Sequence, residues 1–256
     1  MIYLKVFPEH ASYEAELNVG GQEFEIPNVS YCVDADDIHY NPYNTVEFYV
    51  GEITETQTVK IYTYNSTSID VTVSEGNKWY SYLLPKDKGL YKIEGDSVKK
   101  VNVKADINTY GNIIIPTSTV EASFKGSDTS KAYNMYNMFR NCSGLISLDV
   151  SSFDTSNQDN LSLMFENCAK LESLDLSSFN TSKVNDMTEM FNGCAALTSL
   201  DLSGWDMSIK TIFTNDMFNG CTSLTTIKMI GCSPETIQKI TDVKPSGATI
   251  VTGQTI

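Results

Sequence analysis

"MFENCAKLESLDLSSFNTS", Met164 to Ser182, decides the fold because it recurs. Moved upstream by 26 residues it falls on "MFRNCSGLISLDVSSFDTS" (138–156), and downstream by 26 on "MFNGCAALTSLDLSGWDMS" (190–208). A fourth, drifting copy, "MFNGCTSLTTIKMIGC" (217–232), follows after a one-residue insertion. A catalytic or metal-binding constellation normally occurs once, whereas a structural unit can be copied. Self-similarity at such a period marks a solenoid, in which each unit buries its apolar face only against its neighbours.

Within one unit, Asp186 followed by Glu189 has the capping-box spacing and predicts a short helix, with Met187, Met190, Phe191 and Cys194 on its inward face. "LTSLDL" then places Leu197, Leu200 and Leu202 inward in the L-x-x-L-x-L spacing of a repeat strand. "SGWDMS" supplies the turn to the next unit, with Trp205 where earlier copies carry Phe153 and Phe179. "VEASF" stands 26 residues before Ile146, Leu148 and Val150 and predicts an entry strand. At the other end, "SPETIQKI" predicts a helix capped by Ser233 with Ile237 and Ile240 on its apolar face. "ATIVTG" predicts a closing strand, so both ends carry the atypical units that a solenoid needs.

Of six cysteines, Cys142, Cys168, Cys194 and Cys221 share one repeat position, and Cys32 and Cys232 lie outside it. Equivalent positions stack about 4.8 Å apart with parallel side chains, whereas a disulfide needs Cβ atoms turned toward each other. The four are expected to form a core ladder of free thiols. No paired C-x2-C spacing suggests zinc.

Residues 1–115 read differently. They hold twelve of the fourteen tyrosines and short β-type runs such as "NTVEFYV", "TVKIYTY", "SIDVTVSE", "KWYSYLL" and "SVKKVNVKA", separated by turn signals. Such spacing predicts an antiparallel β-sandwich, immunoglobulin-like in outline, as an anchoring or docking domain. The fold class expected is therefore mixed: this sandwich, then a short α/β leucine-rich-repeat solenoid over 116–256 with repeat cores near 138–156, 164–182, 190–208 and 217–232 and a cap over 233–256.

Net charge excludes some functions. With 32 Asp+Glu against 18 Lys+Arg, of which Arg140 alone is arginine, the chain stands at −14. Nucleic acids and anionic membrane surfaces both demand clustered cations, so neither is an expected partner. No apolar run is long enough to span a bilayer, and the first residues do not have the pattern of a secretory signal.

The string M-F-x-x-C-x-x-L-x-x-L-D-L-S closely resembles the BspA-type leucine-rich repeat, over about residues 116–232. That repeat occurs on bacterial surface proteins and lipoproteins and in some phage proteins. The resemblance implies adhesion without enzymatic activity and names no contact residues. A lipobox cysteine and a sorting tail, usual in surface-protein layouts, are not evident here, which turns the expectation toward a virion.

The outward positions of the repeat strands form rows, and these are the expected binding residues: Ser147, Ser173, Ser199 and Thr226 in one, and Asp149, Asp175, Asp201 and Lys228 in the other. Neighbouring carboxylates could hold a hard cation or accept from sugar hydroxyls, but a calcium site needs six to eight converging oxygens. Their bland alternative is a hydrated face that keeps the sheet soluble. "CVDADDIHY" offers Asp34, Asp36, Asp37 and His39 beside Cys32 as the densest ligand-like cluster, against the alternative of a polar loop, and no metal or cofactor is expected. Tyr40, Tyr43, Tyr62, Tyr64, Trp79, Tyr80 and Tyr82 could stack on sugar rings, or serve as strand packing. "NST" at Asn65 and "NTS" at Asn180 match the glycosylation sequon, the second as turn chemistry, since two other copies carry Asp there. Catalysis would recruit histidine most often, and the chain has only His10 and His39, with no nucleophile elbow or phosphate loop, so no catalytic residue is expected.

The expected function is a non-enzymatic binding protein: a phage virion component, fibre or head/tail decoration, attaching to a host surface. The alternatives are a bacterial cell-surface adhesin, and a metal- or carbohydrate-binding protein. Expected partners are other virion proteins or a host cell-surface protein or glycan, with self-association into a homo-oligomer open. The expected location is the virion or the cell exterior.

Overall fold

The structure is a computed structural model and describes residues 14–19, 22–27, 43–63, 68–85, 90–107, 114–208 and 213–253. It is mostly β, and its repeats build a solenoid of about five turns with little helix. β1 (Glu14–Val19) and β2 (Gln22–Pro27) form an antiparallel pair of their own. Six strands follow: β3 (Tyr43–Val50), β4 (Gln57–Thr63), β5 (Ser68–Val73), β6 (Lys78–Pro85), β7 (Leu90–Glu94) and β8 (Val98–Lys104). Several alternate as half-buried strands do, while β7 and β8 bury residues three apart, at Leu90 and Ile93 and at Val98 and Val101. In β3, Val46, Phe48 and Val50 are buried while Thr45, Glu47 and Tyr49 take the other face.

These strands do not form a freestanding sandwich. β5, β4 and β7 make one small antiparallel sheet, but β6, β3 and β8 belong to a sheet that continues into the repeats. β8 pairs antiparallel with β3 on one side and parallel with β9 (Glu121–Ser123) on the other, and β9 pairs parallel with β10 (Ser147–Asp149). "VKKVNVK" explains why: Val98, Val101 and Val103 are buried, so β8 has an apolar face to share and a free edge on which a parallel strand can start. The β-type runs and the entry strand "VEASF" thus stand as strands, and the array begins on β8.

The remaining rungs are β11 (Ser173–Asp175), β12 (Ser199–Asp201) and β13 (Thr226–Lys228), then α1 (Pro234–Val243) and β14 (Thr249–Val251), with β11 to β14 paired parallel in register. Ser233 caps α1 as the sequence indicates, its hydroxyl accepting the Thr236 N–H at 3.1 Å.

The short helix expected at Asp186–Cys194, and with it the α/β character of the repeat, is not what forms. Among the described residues the only helix is α1. In its place each M-F segment is a run of turns whose N–H groups alternate in destination. Asn137, Phe139 and Asn141 donate to the next turn, at Ser162, Met164 and Glu166, while Met138, Arg140 and Cys142 donate three residues back. The pattern repeats from Leu161, Leu163, Phe165 and Asn167 to Asp186, Thr188, Met190 and Asn192, and again from Met187, Glu189, Phe191 and Gly193 to Phe213, Asn215, Met217 and Asn219.

A helix is excluded because two residues per turn, four apart, are left-handed: Asn137 and Asn141, Leu163 and Asn167, Glu189 and Gly193, Asp216 and Gly220. At Gly193 (φ 76°) an added Cβ would stand 2.4 Å from Asn167 Oδ1, so an L-residue meets both strain and a clash there. Asp186 does not cap a helix either; its Oδ1 accepts the Thr188 N–H at 2.9 Å, a turn two residues on.

Three such corners recur in two successive units, and the third unit keeps two, at Asp201 and Asp206. Asp149, Asp154 and Asn160 accept the N–H groups of Ser151, Ser156 and Ser162, and Asp175, Asn180 and Asp186 repeat this with Ser177, Ser182 and Thr188. Asn180 of "NTS" is such a corner residue; Asn65 lies outside the described residues.

Inside, identical side chains stack. Phe139, Phe165, Phe191 and Phe218 form a column with ring centroids 5.7, 5.7 and 5.5 Å apart and planes within 8° of parallel. Beside it Cys142, Cys168, Cys194 and Cys221 are at most 2% exposed and free. Cys168, Cys194 and Cys221 each donate the thiol to a carbonyl of the preceding turn, Phe139 O, Phe165 O and Phe191 O, at 3.0–3.2 Å. A buried threonine column sits at another corner, Thr155 and Thr181 donating to Asn180 O and Asp206 O of the next turn.

Candidate binding face

The short strands alternate sides, so the outer residues of each rung face solvent while the central leucine or isoleucine points into the core. Register places them in two rows. Ser173, Ser199, Thr226 and Thr249 are direct partners, as are Asp175, Asp201, Lys228 and Val251. Across the upper sheet, Ser147 faces Glu121 and Asp149 faces Ser123; Lys100 and Asn102 come next, then Tyr49 and Glu47, then Trp79 and Ser81. The eight residues picked from the repeats therefore fall on two sheets: Ser147 and Asp149 on β10 at the edge of the upper sheet, and Ser173, Asp175, Ser199, Asp201, Thr226 and Lys228 in register on β11 to β13. Sequence reasoning missed the upper sheet's extension to Trp79, because nothing local shows that β8 abuts β9.

The aspartates are already partly used. Each directs Oδ1 back to its own turn: Asp149 to Ser151 N at 3.0 Å, Asp175 to Ser177 N at 2.9 Å and Asp201 to Ser203 N at 3.0 Å. Asp149 also accepts the Ser151 hydroxyl at 2.6 Å, and these two bonds hold its carboxyl below the usual range. Burial opposes ionisation of Asp201, but hydrogen bonds from Lys228 and Ser203 outweigh it and the pKa is lowered. Lys228 Nζ stands 2.7 Å from Asp201 Oδ2, and that bond raises the lysine pKa. Lys100 bridges both oxygens of Glu121 at 2.8 Å. The face is thus a lattice of corner-locked carboxylates and short ion pairs, with the hydroxyls of Ser147, Ser173 and Ser199 on exposed residues.

This double duty gives a separable prediction. Asp175→Asn keeps the accepting oxygen, as Asn180 does at the next corner, and is expected to leave stability unchanged. Asp175→Ala loses the turn bond and is expected to cost about 1 kcal/mol. Urea unfolding of both variants checks it, and equal effects would show that the corner bond carries no stability.

The aromatics divide by strand parity. Tyr80 and Tyr82 pack against the core, and Tyr62 donates its hydroxyl to Glu94 at 2.8 Å. Trp79, 45% exposed, and Tyr49 meet edge-to-face at 5.7 Å on the outer face. Only the backbone of Tyr43 is described, and Tyr40 and Tyr64 lie outside the described residues, as do Cys32, Asp34, Asp36, Asp37 and His39. Among the described residues no group of three or more His, Cys, Asp or Glu could hold a metal ion. No described helix is long and apolar enough to cross a membrane.

The thiol column is not built for nucleophilic chemistry. Burial pushes the Cys142 thiol up to about 12 and that of Cys221 to about 11, and raises those of Cys168 and Cys194. A nucleophilic cysteine needs the opposite shift.

No curated protein and no solved structure matches the chain. Residues 112–229, which take in β9 to β13 and all four M-F segments, match the model of a family described as "Mycoplasma protein of unknown function, DUF285".

Proposed function

We propose that this chain is a non-enzymatic attachment protein whose BspA-like leucine-rich repeats present the outer strand face to a host-surface protein or glycan. The observation that supports it is two registered sets of outward positions, one with Ser173 and Ser199 exposed on β11 and β12, the other running from exposed Ser147 on β10 through Lys100 to Tyr49 and Trp79. A polar face carrying hydroxyls and carboxylate oxygens, with an aromatic pair at one end, suits recognition of a hydrated partner in which hydrogen bonds give specificity and a ring gives contact area. A virion is the setting this reading favours, with the antiparallel strands as the anchor and the repeats projecting from the particle.

Ser173 and Ser199 allow a test that spares the corners. The double variant Ser173→Arg, Ser199→Arg places two long cations on the face without touching any aspartate. Labelled protein is applied to bacterial cells and to a glycan array, with circular dichroism as the folding control. Apparent affinity is expected to fall at least about tenfold, or about 1.4 kcal/mol, with the spectrum unchanged. Undiminished binding by the double variant would remove recognition from this face.

A further inference from the structure

Among the described residues the turn ladder has an open end. Inside the array, Met187, Glu189, Phe191 and Gly193 donate their N–H groups to alternate carbonyls of the following turn. One turn later the equivalent residues are Thr214, Asp216, Phe218 and Gly220, and no described residue accepts from their N–H groups. The next M-F segment would cover them, but α1 occupies that stretch between β13 and β14. A helix uses its carbonyls internally, so α1 fills apolar space without offering an acceptor row. A cleft of about 500 Å³ remains, lined by residues 214–222 together with Val243 and Pro245.

We infer that this cleft is a docking site for a polypeptide segment of the M-F pattern, folded as the same run of turns, which takes the four N–H groups with alternate backbone carbonyls as the next turn does inside the array. The site is independent of the strand face. Its occupant follows from the ladder itself, since the edge three times accommodates a polypeptide of the repeat's own pattern within this chain. Left-handed Asp216 and Gly220 also leave alternate N–H groups directed to one side, donors that could face a small anion. An anion is disfavoured by the carboxylate of Asp216 within the row and by the chain's charge of −14. A second copy stacked end to end is disfavoured too, because the opposite end is joined to β7: Ile93 donates to Ile114 O and Leu90 to Asp106 O.

The test uses the full chain and a synthetic peptide of sequence FTNDMFNGC, copying residues 213–221, with amides followed by NMR. In the free protein the amides of Thr214, Asp216, Phe218 and Gly220 are expected to exchange with solvent much faster than those of Glu189, Phe191 and Gly193. Protection of the four in the free chain would mean that the edge is already paired and would overturn the inference. Millimolar peptide is expected to shift these four amides saturably. Thr222→Arg or Asn219→Arg, each at an exposed position beside the cleft, is expected to weaken that response at least about tenfold. No peptide response, an undiminished response in both variants, or equal shifts from sulfate alone would each overturn it.

Discussion

Phe165→Ala is expected to be the most damaging single truncation in the repeats, costing about 5 kcal/mol. Phe165 is fully buried and stacks on Phe139 and Phe191 at 5.7 Å on either side, with planes 5° and 4° from parallel. Truncation removes the ring's burial, about 4 kcal/mol, and two stacking contacts of about 0.5 to 1.5 kcal/mol each. Few domains hold more than about 15 kcal/mol in total. Solenoid turns are stabilised only by their neighbours, so no distant contact can compensate. Phe218 closes the column with a single partner, Phe191 at 5.5 Å, and Phe218→Ala is expected to cost about 1 kcal/mol less. Urea midpoints at equal slope compare the two, and a Phe165→Ala cost no larger than that of Phe218→Ala would show that stacking does not couple the turns.

Alkaline pH is expected to unfold the protein through its thiols. Burial raises the folded-state pKa of Cys142, Cys168, Cys194 and Cys221 above that of a free thiol. The unfolded chain therefore binds fewer protons than the folded one once pH exceeds about 9. The stabilisation is fully present below that value and is lost as pH rises toward the folded values, about 11 for Cys221 and about 12 for Cys142. Four such groups give a limiting slope of about 5 kcal/mol per pH unit, at about 1.4 for each. Cys194→Ser keeps a donor for Phe165 O but does not titrate in this range, and its slope is expected to be shallower by about 1.4 kcal/mol per pH unit. Chemical denaturation from neutral pH to about 10.5 measures both slopes. Stability that stays flat above pH about 9.5 would mean that the column is ionised in the fold or reached by water.

The period, the inward Leu, Met, Phe and Cys, the outward Ser and Asp rows and the Ser233-capped helix were all legible in the sequence. Each follows from spacing that any turn of this length must obey. The helix in the M-F segment was misread because Asp186 and Glu189 have the spacing of a capping box, a local signal. What wins is non-local: each second N–H finds a carbonyl in the next turn, and left-handed residues such as Asn167 and Glu189 are the condition for it. Asn and Gly at the second of these positions, Asn141, Asn167, Gly193 and Gly220, were a usable signal. So was the Asx-x-Ser/Thr pattern, which occurs three times in each of two successive units and twice in the third.

By itself, then, the sequence determined that this protein is a stack, and which side chains lie within it, because burial depends on period alone. Tertiary structure decided three things that period cannot express. Pairing of β8 with β9 joined the antiparallel strands to the array and extended the outer face to Tyr49 and Trp79. Hydrogen bonding between turns replaced helices by a ladder. With α1 following β13, that ladder's last N–H groups have no acceptor among the described residues, since a helix satisfies its own carbonyls and has none to give.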